Sequence, residues 1–140
     1  FFPIGKDVLA GIEQNLAEEL FGDLSNQKTA LFTDQYLSSG GQLYELMMGH
    51  DRMLADVRWL LYEKFAREGK ATGHSCHPYD ICTALIAEEA GVQVTDGCGR
   101  KLAAPLNTTA DISWIGYANQ AIRDEVEPVL LALLERYGLR

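Results

Sequence analysis

The chain has 140 residues and a formal net charge of −8, with 47% hydrophobic and 23% charged residues. These values are typical of one globular domain, which is long enough to bury a core without disulfides or metals. The negative charge argues against non-specific binding to nucleic acid or to an anionic membrane, because both require a positive protein surface. It does not exclude phosphorylated substrates, since a bound Mg²⁺ can supply positive charge locally.

The cysteines and the missing targeting signals indicate a cellular compartment. The chain has three cysteines, which is an odd number, and no Cys-x-x-Cys pair: Cys76, Cys82 and Cys98. We therefore expect no disulfide framework and a reducing, cytoplasmic location. No run of about 18 apolar residues predicts a membrane span, and no signal peptide is recognisable. The chain begins with Phe1 instead of methionine, which predicts a fragment or a processed product.

Hydrophobic periodicity predicts alternating helices and strands along the chain. The helices are predicted at residues 7–21, 42–48, 80–90 and 120–137. The strands are predicted at residues 29–36, 53–61, 93–96 and 112–118. Residues 61–78 are ambiguous, with a helical turn around 62–67 followed by a Gly-rich loop. Such alternation predicts an α/β fold in which a mixed sheet is flanked by helices.

Local signals fix several element ends. Gly22 is expected to end the first helix, and Asp96-Gly97 is expected to form a turn after a strand. Asn119 can cap the last helix through its side chain. Pro128 lies inside that helix and is expected to kink it or to begin a new segment.

The segment from His77 to Gly91 is the most informative part of the sequence. It predicts a short helix that begins at Asp80 and ends at Gly91. Apolar side chains surround most of this helix, so we expect it to be buried on nearly all sides. Asp80 has two alternative roles at the helix start. It can accept backbone N–H bonds as a cap, which propensity alone favours, or it can hold a cation or a substrate in a pocket.

The wider pattern resembles the C-terminal signature of the inositol monophosphatase family. Tyr79-Asp80 precedes an apolar helix, Glu89-Ala90-Gly91 ends it, and a strand finishing at Asp96 follows. The family consists of magnesium-dependent, lithium-sensitive phosphomonoesterases. The resemblance covers roughly residues 29–140. It implies that Asp80 is a metal ligand for Mg²⁺, that the substrate is a small phosphate ester, and that the protein is a homo-oligomer.

A second matching segment is Ser39-Gly40-Gly41-Gln42 before an apolar helix, which is similar to the family's Gly-Thr/Ser-Ala segment. The resemblance implies that these four residues place a helix N-terminus against the substrate. Free N–H groups and the positive end of a helix favour phosphate and hydroxyl oxygens, and the two glycines allow close backbone approach. The alternative is an ordinary Gly-rich helix start.

Two features depart from the family. Arg58 stands where inositol-specific members tend to carry a glutamate. An arginine there resembles the branches that also accept fructose 1,6-bisphosphate or 3′-phosphoadenosine phosphates, and it implies binding of a second phosphate or a sugar hydroxyl. An ion pair with Asp56 is the alternative. In addition, residues 59–79 make a longer excursion than is usual, so we expect a different pocket rim.

The family takes most of its metal ligands from an N-terminal domain with a glutamate and an Asp-Pro-x-Asp-Gly-Thr loop, and no such loop occurs here. Asp80 alone cannot complete the near-octahedral coordination of Mg²⁺. The resemblance therefore implies one C-terminal-type domain over residues 1–140, inactive alone, from an inositol or sugar phosphate phosphatase. A non-catalytic ligand-binding or assembly module of the same fold is the alternative. A zinc site is disfavoured, because its candidate ligands do not have the usual spacing. These candidates are His74, Cys76, His77 and Cys82.

Overall fold

The computed structural model describes residues 4–23 and 38–140. Within them, five α-helices, one 3₁₀ turn and three strands form a mixed α and β domain. The helices are Lys6–Phe21 (α1), Ser39–Met47 (α2), Arg58–Arg67 (α3), Ala84–Glu89 (α4) and Gln120–Arg136 (α5), and the 3₁₀ turn is Pro78–Ile81. The strands are Met53–Asp56 (β1), Gln93–Asp96 (β2) and Trp114–Tyr117 (β3). No described helix has both the length and the apolar character needed to cross a membrane.

The three strands form one sheet in the order β1-β3-β2. Both outer strands are antiparallel to β3, with Ala55 and Thr95 opposite Ile115. The described sheet is therefore antiparallel rather than mixed, although combined helices and strands were predicted correctly. The helical connection between β1 and β2 leaves these two strands pointing the same way, and β3 is inserted between them. An alternation of helices and strands along the sequence does not indicate that β3 pairs between β1 and β2.

The sheet separates two hydrophobic cores. On one face, α1 packs against α5, and α5 packs against β3, around a cluster that includes Ile115, Tyr117, Leu130, Leu133 and Leu134. On the other face, α2 contacts α4, the 3₁₀ turn and the sheet, around a cluster that includes Leu43, Leu46, Ala87, Val94 and Trp114. The second core supports α2 and the turn that carries Asp80, whereas Arg58 lies on α3, whose buried Leu61 and Tyr62 belong to the first core.

Several local predictions are confirmed. Gly22 ends α1 with a φ of 75°, a conformation that favours glycine. The Asn119 side chain accepts a hydrogen bond of 3.0 Å from the Ile122 N–H and so caps α5. The Asp96 carboxylate holds the predicted turn by accepting the Cys98 N–H at 2.8 Å.

The predicted strand at 29–36 lies outside the described residues. Of the two outcomes expected at Pro128, the start of a new segment is wrong, because α5 continues through it as one helix, and the kink stays a prediction.

The predicted strand over 53–61 is wrong in its second half. The strand ends at Asp56, and Arg58 is the first residue of α3. Asp56 ends the strand itself, because its Oδ1 accepts the Arg58 N–H at 3.1 Å, which satisfies one of the donors that a helix start leaves free. Leu61 and Tyr62 are then buried on the inner side of α3. Alternating apolar residues over so short a stretch fit either structure.

The prediction that the helix after Asp80 is buried on nearly all sides is also wrong. Ala87 is fully buried, but Leu85 is 68% and Ile86 is 62% exposed. Two further apolar residues nearby are half exposed: Tyr44 of α2 at 50% and Met48, which directly follows α2, at 53%. An apolar side chain in a helix does not by itself show which side is covered, and here only one side of each helix meets the sheet.

Candidate functional site

The structure brings the first turn of α2 together with the segment that carries Asp80. The Ser39 hydroxyl lies 3.6 Å from the Cys76 thiol. A Cβ atom added to Gly40 would lie 3.5 Å from Thr83 Oγ1, so a side chain there would fill the gap between α2 and the residues that follow Asp80. The Thr83 hydroxyl is buried and has no hydrogen-bond partner among the described residues. The two motifs thus meet on one side of the sheet.

The helix α2 begins earlier than predicted, so Ser39, Gly40 and Gly41 are part of its first turn. Ser38 is the cap, and its Oγ accepts the Gly41 N–H at 3.1 Å. The Gln42 N–H bonds the Ser38 carbonyl at 3.2 Å. The backbone donors of Gly41 and Gln42 are therefore already used. The backbone N–H groups of Ser39 and Gly40 have no partner among the described residues. An anion can accept hydrogen bonds from these two helix-end donors.

Asp80 acts as a local cap in the 3₁₀ turn. Its Oδ2 accepts a hydrogen bond of 2.8 Å from the His77 N–H. The predicted helix start at Asp80 is wrong, because α4 begins at Ala84, so Asp80 caps the 3₁₀ turn instead of that helix. Its side chain is nevertheless 36% exposed. Among the described residues, no hydrogen bond occupies its other oxygen. Capping and cation binding are compatible here, because one oxygen serves the backbone and the other stays accessible.

His77 connects Asp80 to a residue that sequence reasoning missed. Its Nδ1 lies 3.6 Å from Asp80 Oδ2, and its Nε2 lies 3.9 Å from Asp111 Oδ1. The hydroxyl of Ser75 donates to Asp111, and the His77 ring stacks on Tyr79 with centroids 5.2 Å apart. The sequence carries no local signal for Asp111. It reaches the site because the neighbouring residue Ile112 pairs with Cys76 in an isolated bridge.

All three nitrogens of the Arg58 guanidinium donate hydrogen bonds. Nε and Nη2 donate to the two carboxylate oxygens of Asp56 at 2.9 and 2.5 Å, and Nη1 donates to the His74 carbonyl at 3.2 Å. The hydrogen bonds to Asp56 raise the pKa of Arg58. The alternative given for Arg58, an ion pair with Asp56, is therefore formed. The hydrogen bond to the His74 carbonyl also connects Arg58 to the segment that precedes Asp80. A role of Arg58 in binding a second phosphate stays a prediction.

The described residues do not by themselves form a magnesium site. Mg²⁺ requires about six oxygen ligands in near-octahedral geometry. Within residues 4–23 and 38–140, no three His, Cys, Asp or Glu side chains are grouped to hold a metal ion. Asp80 can offer one carboxylate. No such group surrounds Cys76 among the described residues either. Cys82 is exposed instead of buried in a helix.

A shallow polar pocket of about 290 Å³ lies away from these residues, near the edge of β2. None of the predicted site residues lines it. Arg123, which does, already donates to Glu127 and to the Gly99 carbonyl, each at 3.0 Å. This pocket therefore does not replace the junction of α2 and the Asp80 turn as the candidate site.

The chemistry of Cys76 gives a testable property of the junction. The thiol is 1% exposed, and burial raises its pKa to about 11, against the lowering effect of its hydrogen bond with Ser39. At pH 8 about one molecule in 1,000 would carry the thiolate. We expect iodoacetamide at pH 8 to alkylate the exposed Cys82 far faster than Cys76, as followed by peptide mass spectrometry over time.

The pH dependence of the same reaction provides the check. Raising the pH toward the Cys76 pKa of about 11 should accelerate its alkylation. Because burial disfavours the thiolate, the folded chain loses stability as the pH rises from about 8.5, where the thiol of the unfolded chain ionises, toward the folded pKa of about 11. Equal alkylation of Cys76 and Cys82 at pH 8 in the folded chain would contradict the burial of this thiol.

Comparison with known protein families, with curated proteins and with solved structures found no match for this chain. The residues of the junction and the sequence resemblance are therefore the basis for a proposed function.

Proposed function

We propose that this chain is the C-terminal, substrate-side part of a magnesium-dependent phosphomonoesterase similar to inositol monophosphatase. Its substrate would be inositol phosphate or a related sugar phosphate, with fructose 1,6-bisphosphate among the candidates. The observation that supports this best is the meeting of the α2 first turn with the Asp80 segment, where Ser39 and Cys76 lie 3.6 Å apart. A phosphate ester lying across this junction could contact both elements.

The residues have distinct parts in the proposal. The N–H groups of Ser39 and Gly40, which have no partner among the described residues, bind phosphate or hydroxyl oxygens at the positive end of α2. Asp80 contributes one carboxylate toward Mg²⁺, and an N-terminal domain contributes the others. Asp56 and Arg58 hold the segment before Asp80 in place through the contact with the His74 carbonyl. In keeping with the resemblance, we propose a cytoplasmic homo-oligomer that is inactive without that N-terminal domain.

A non-catalytic module is the second candidate, and one observation favours it. Asp80 already has a structural role as the cap of the His77 N–H, so its presence does not require a metal. In this alternative, the α2 N-terminus still binds a phosphate ester, but no chemistry follows. Both candidates therefore predict binding at Ser39 and Gly40, and they differ in whether the chain joined to its N-terminal domain hydrolyses the ester at all.

Binding can be tested on this chain by backbone NMR during titration with inositol 1-phosphate. We expect the largest amide shifts at Ser39 and Gly40, and no comparable shifts with unphosphorylated inositol. Ser39→Pro should weaken binding about tenfold or more, because it deletes one N–H donor to a charged group, which is typically worth about 1.5–3 kcal/mol. Proline is tolerated at the first helical position, and Ser38 has the extended conformation that a following proline needs, with φ −156° and ψ 147°.

The control is Ser39→Ala, which removes the hydroxyl and keeps the N–H. It should bind nearly as well as the unchanged chain. If Ser39→Pro bound inositol 1-phosphate as tightly as Ser39→Ala while α2 remained helical, the α2 N-terminus would not be the phosphate site.

A further inference from the structure

The helical layer formed by α2 and α4 carries apolar side chains on the side away from the sheet. We call this surface the outer helical face and define it by Tyr44, Met48, Leu85 and Ile86. Their exposed fractions are 50%, 53%, 68% and 62%. Single exposed apolar residues are ordinary on protein surfaces, but several large ones on two adjacent helices mark an interaction surface.

The other side of the same layer is already buried. Leu43 and Leu46 of α2 and Ala87 of α4 are at most 2% exposed and belong to the core under the sheet. The two helices contact each other. The layer is therefore apolar on both sides, which is expected of helices packed between two surfaces instead of at the boundary with water.

The charges around this layer identify the kind of surface that fits. Residues 38–51 and 77–91 contain five acidic residues and neither Lys nor Arg. The acidic residues are Glu45, Asp51, Asp80, Glu88 and Glu89. A second copy of this chain would bring the same acidic margin to the interface, and the whole chain has a net charge of −8. An anionic lipid surface would be repelled in the same way.

We propose that the outer helical face binds a partner protein surface with an apolar centre and a margin of Lys and Arg. The apolar centre covers Tyr44, Met48, Leu85 and Ile86, and the basic margin faces the acidic residues around α2 and α4. Charges of opposite sign at the rim act mainly on specificity and association rate, and burial of the centre supplies most of the affinity. This proposal does not require the phosphatase proposal, and the two share one residue, Asp80.

The test uses two synthetic amphipathic helical peptides with the same leucine stripe, one flanked by Lys and the other by Glu. Affinities for the chain are measured by fluorescence anisotropy at physiological salt. We expect the Lys-flanked peptide to bind at least tenfold more tightly. The double substitution Leu85→Ser and Ile86→Ser should weaken that binding at least tenfold, and Glu89→Lys should reduce the preference between the peptides.

Leu106→Ser is the matched control, because Leu106 is fully exposed in the loop before β3. It should leave the affinity for the Lys-flanked peptide unchanged. All substituted side chains are exposed, so the fold should be retained, and circular dichroism checks this. The proposal is overturned if both peptides bind equally, if Leu106→Ser weakens binding as much as the double substitution, or if sedimentation shows a dimer of this chain that the double substitution dissociates.

Discussion

Joined to the N-terminal metal-binding domain that the proposed function requires, the Asp80→Asn protein is expected to lose about 10²- to 10³-fold in kcat toward inositol 1-phosphate. The KM should change much less, because a contact that strengthens as charge develops in the transition state acts on kcat. Asparagine keeps an oxygen that can accept the His77 N–H, which Asp80 now accepts at 2.8 Å. The substitution therefore removes the negative charge and spares the cap.

Steady-state kinetics over a range of Mg²⁺ concentrations would measure both effects, since weaker metal binding should also raise the Mg²⁺ concentration required. The matched control is Asp96→Asn. Asp96 is likewise a carboxylate that accepts backbone N–H groups, from Cys98 at 2.8 Å and Arg100 at 3.0 Å, but it lies in the turn after β2. Its loss should leave kcat nearly unchanged. A near-normal kcat in Asp80→Asn would mean that Asp80 is only a cap, whereas the absence of any turnover in the unsubstituted joined protein would favour the non-catalytic module.

Elements whose signals are local were predictable from the sequence. The helix α1 has a regular apolar stripe and a glycine that ends it in a left-handed conformation, and α5 has an asparagine that caps its first turn. Cap chemistry depends only on residues within one turn. The short strands β2 and β3 were also placed correctly: all four residues of β3 are buried, and so are the two central residues of β2, Val94 and Thr95.

Features that depend on distant residues were not predictable. One local feature was missed as well: Val57, Trp59 and Leu61 alternate as in a strand, but the Asp56 carboxylate accepts the N–H of Arg58, where α3 begins. The exposure of Leu85 could not be predicted either, because composition does not show which side of α4 lacks a covering layer. The same limit applies at the site. Asp111 approaches His77 only through a bridge between two distant segments.

Trp114→Ala is expected to lower the free energy of unfolding by about 3–5 kcal/mol, the range for removing a fully buried large aromatic side chain. Trp114 is 0% exposed and belongs to the core beneath α2 and α4. Its ring lies beside Gly116, where an added Cβ would be 3.1 Å from Trp114 and 2.5 Å from Leu46. The indole N–H has no hydrogen-bond partner among the described residues, so the loss comes from packing alone.

Urea unfolding would measure this effect, with Trp59→Ala as the control. Trp59 is the other tryptophan of the chain, and it is only partly buried at the edge of the opposite core, so its removal should cost less than half as much. The two variants should also differ at the site. Leu46 of α2 packs in the same core as Trp114, so a cavity there should loosen α2 and speed amide exchange through its length, whereas Trp59→Ala should leave α2 protected. A loss below about 1 kcal/mol in Trp114→Ala would mean that this core does not support α2, since truncating a side chain in a packed interior costs more than that.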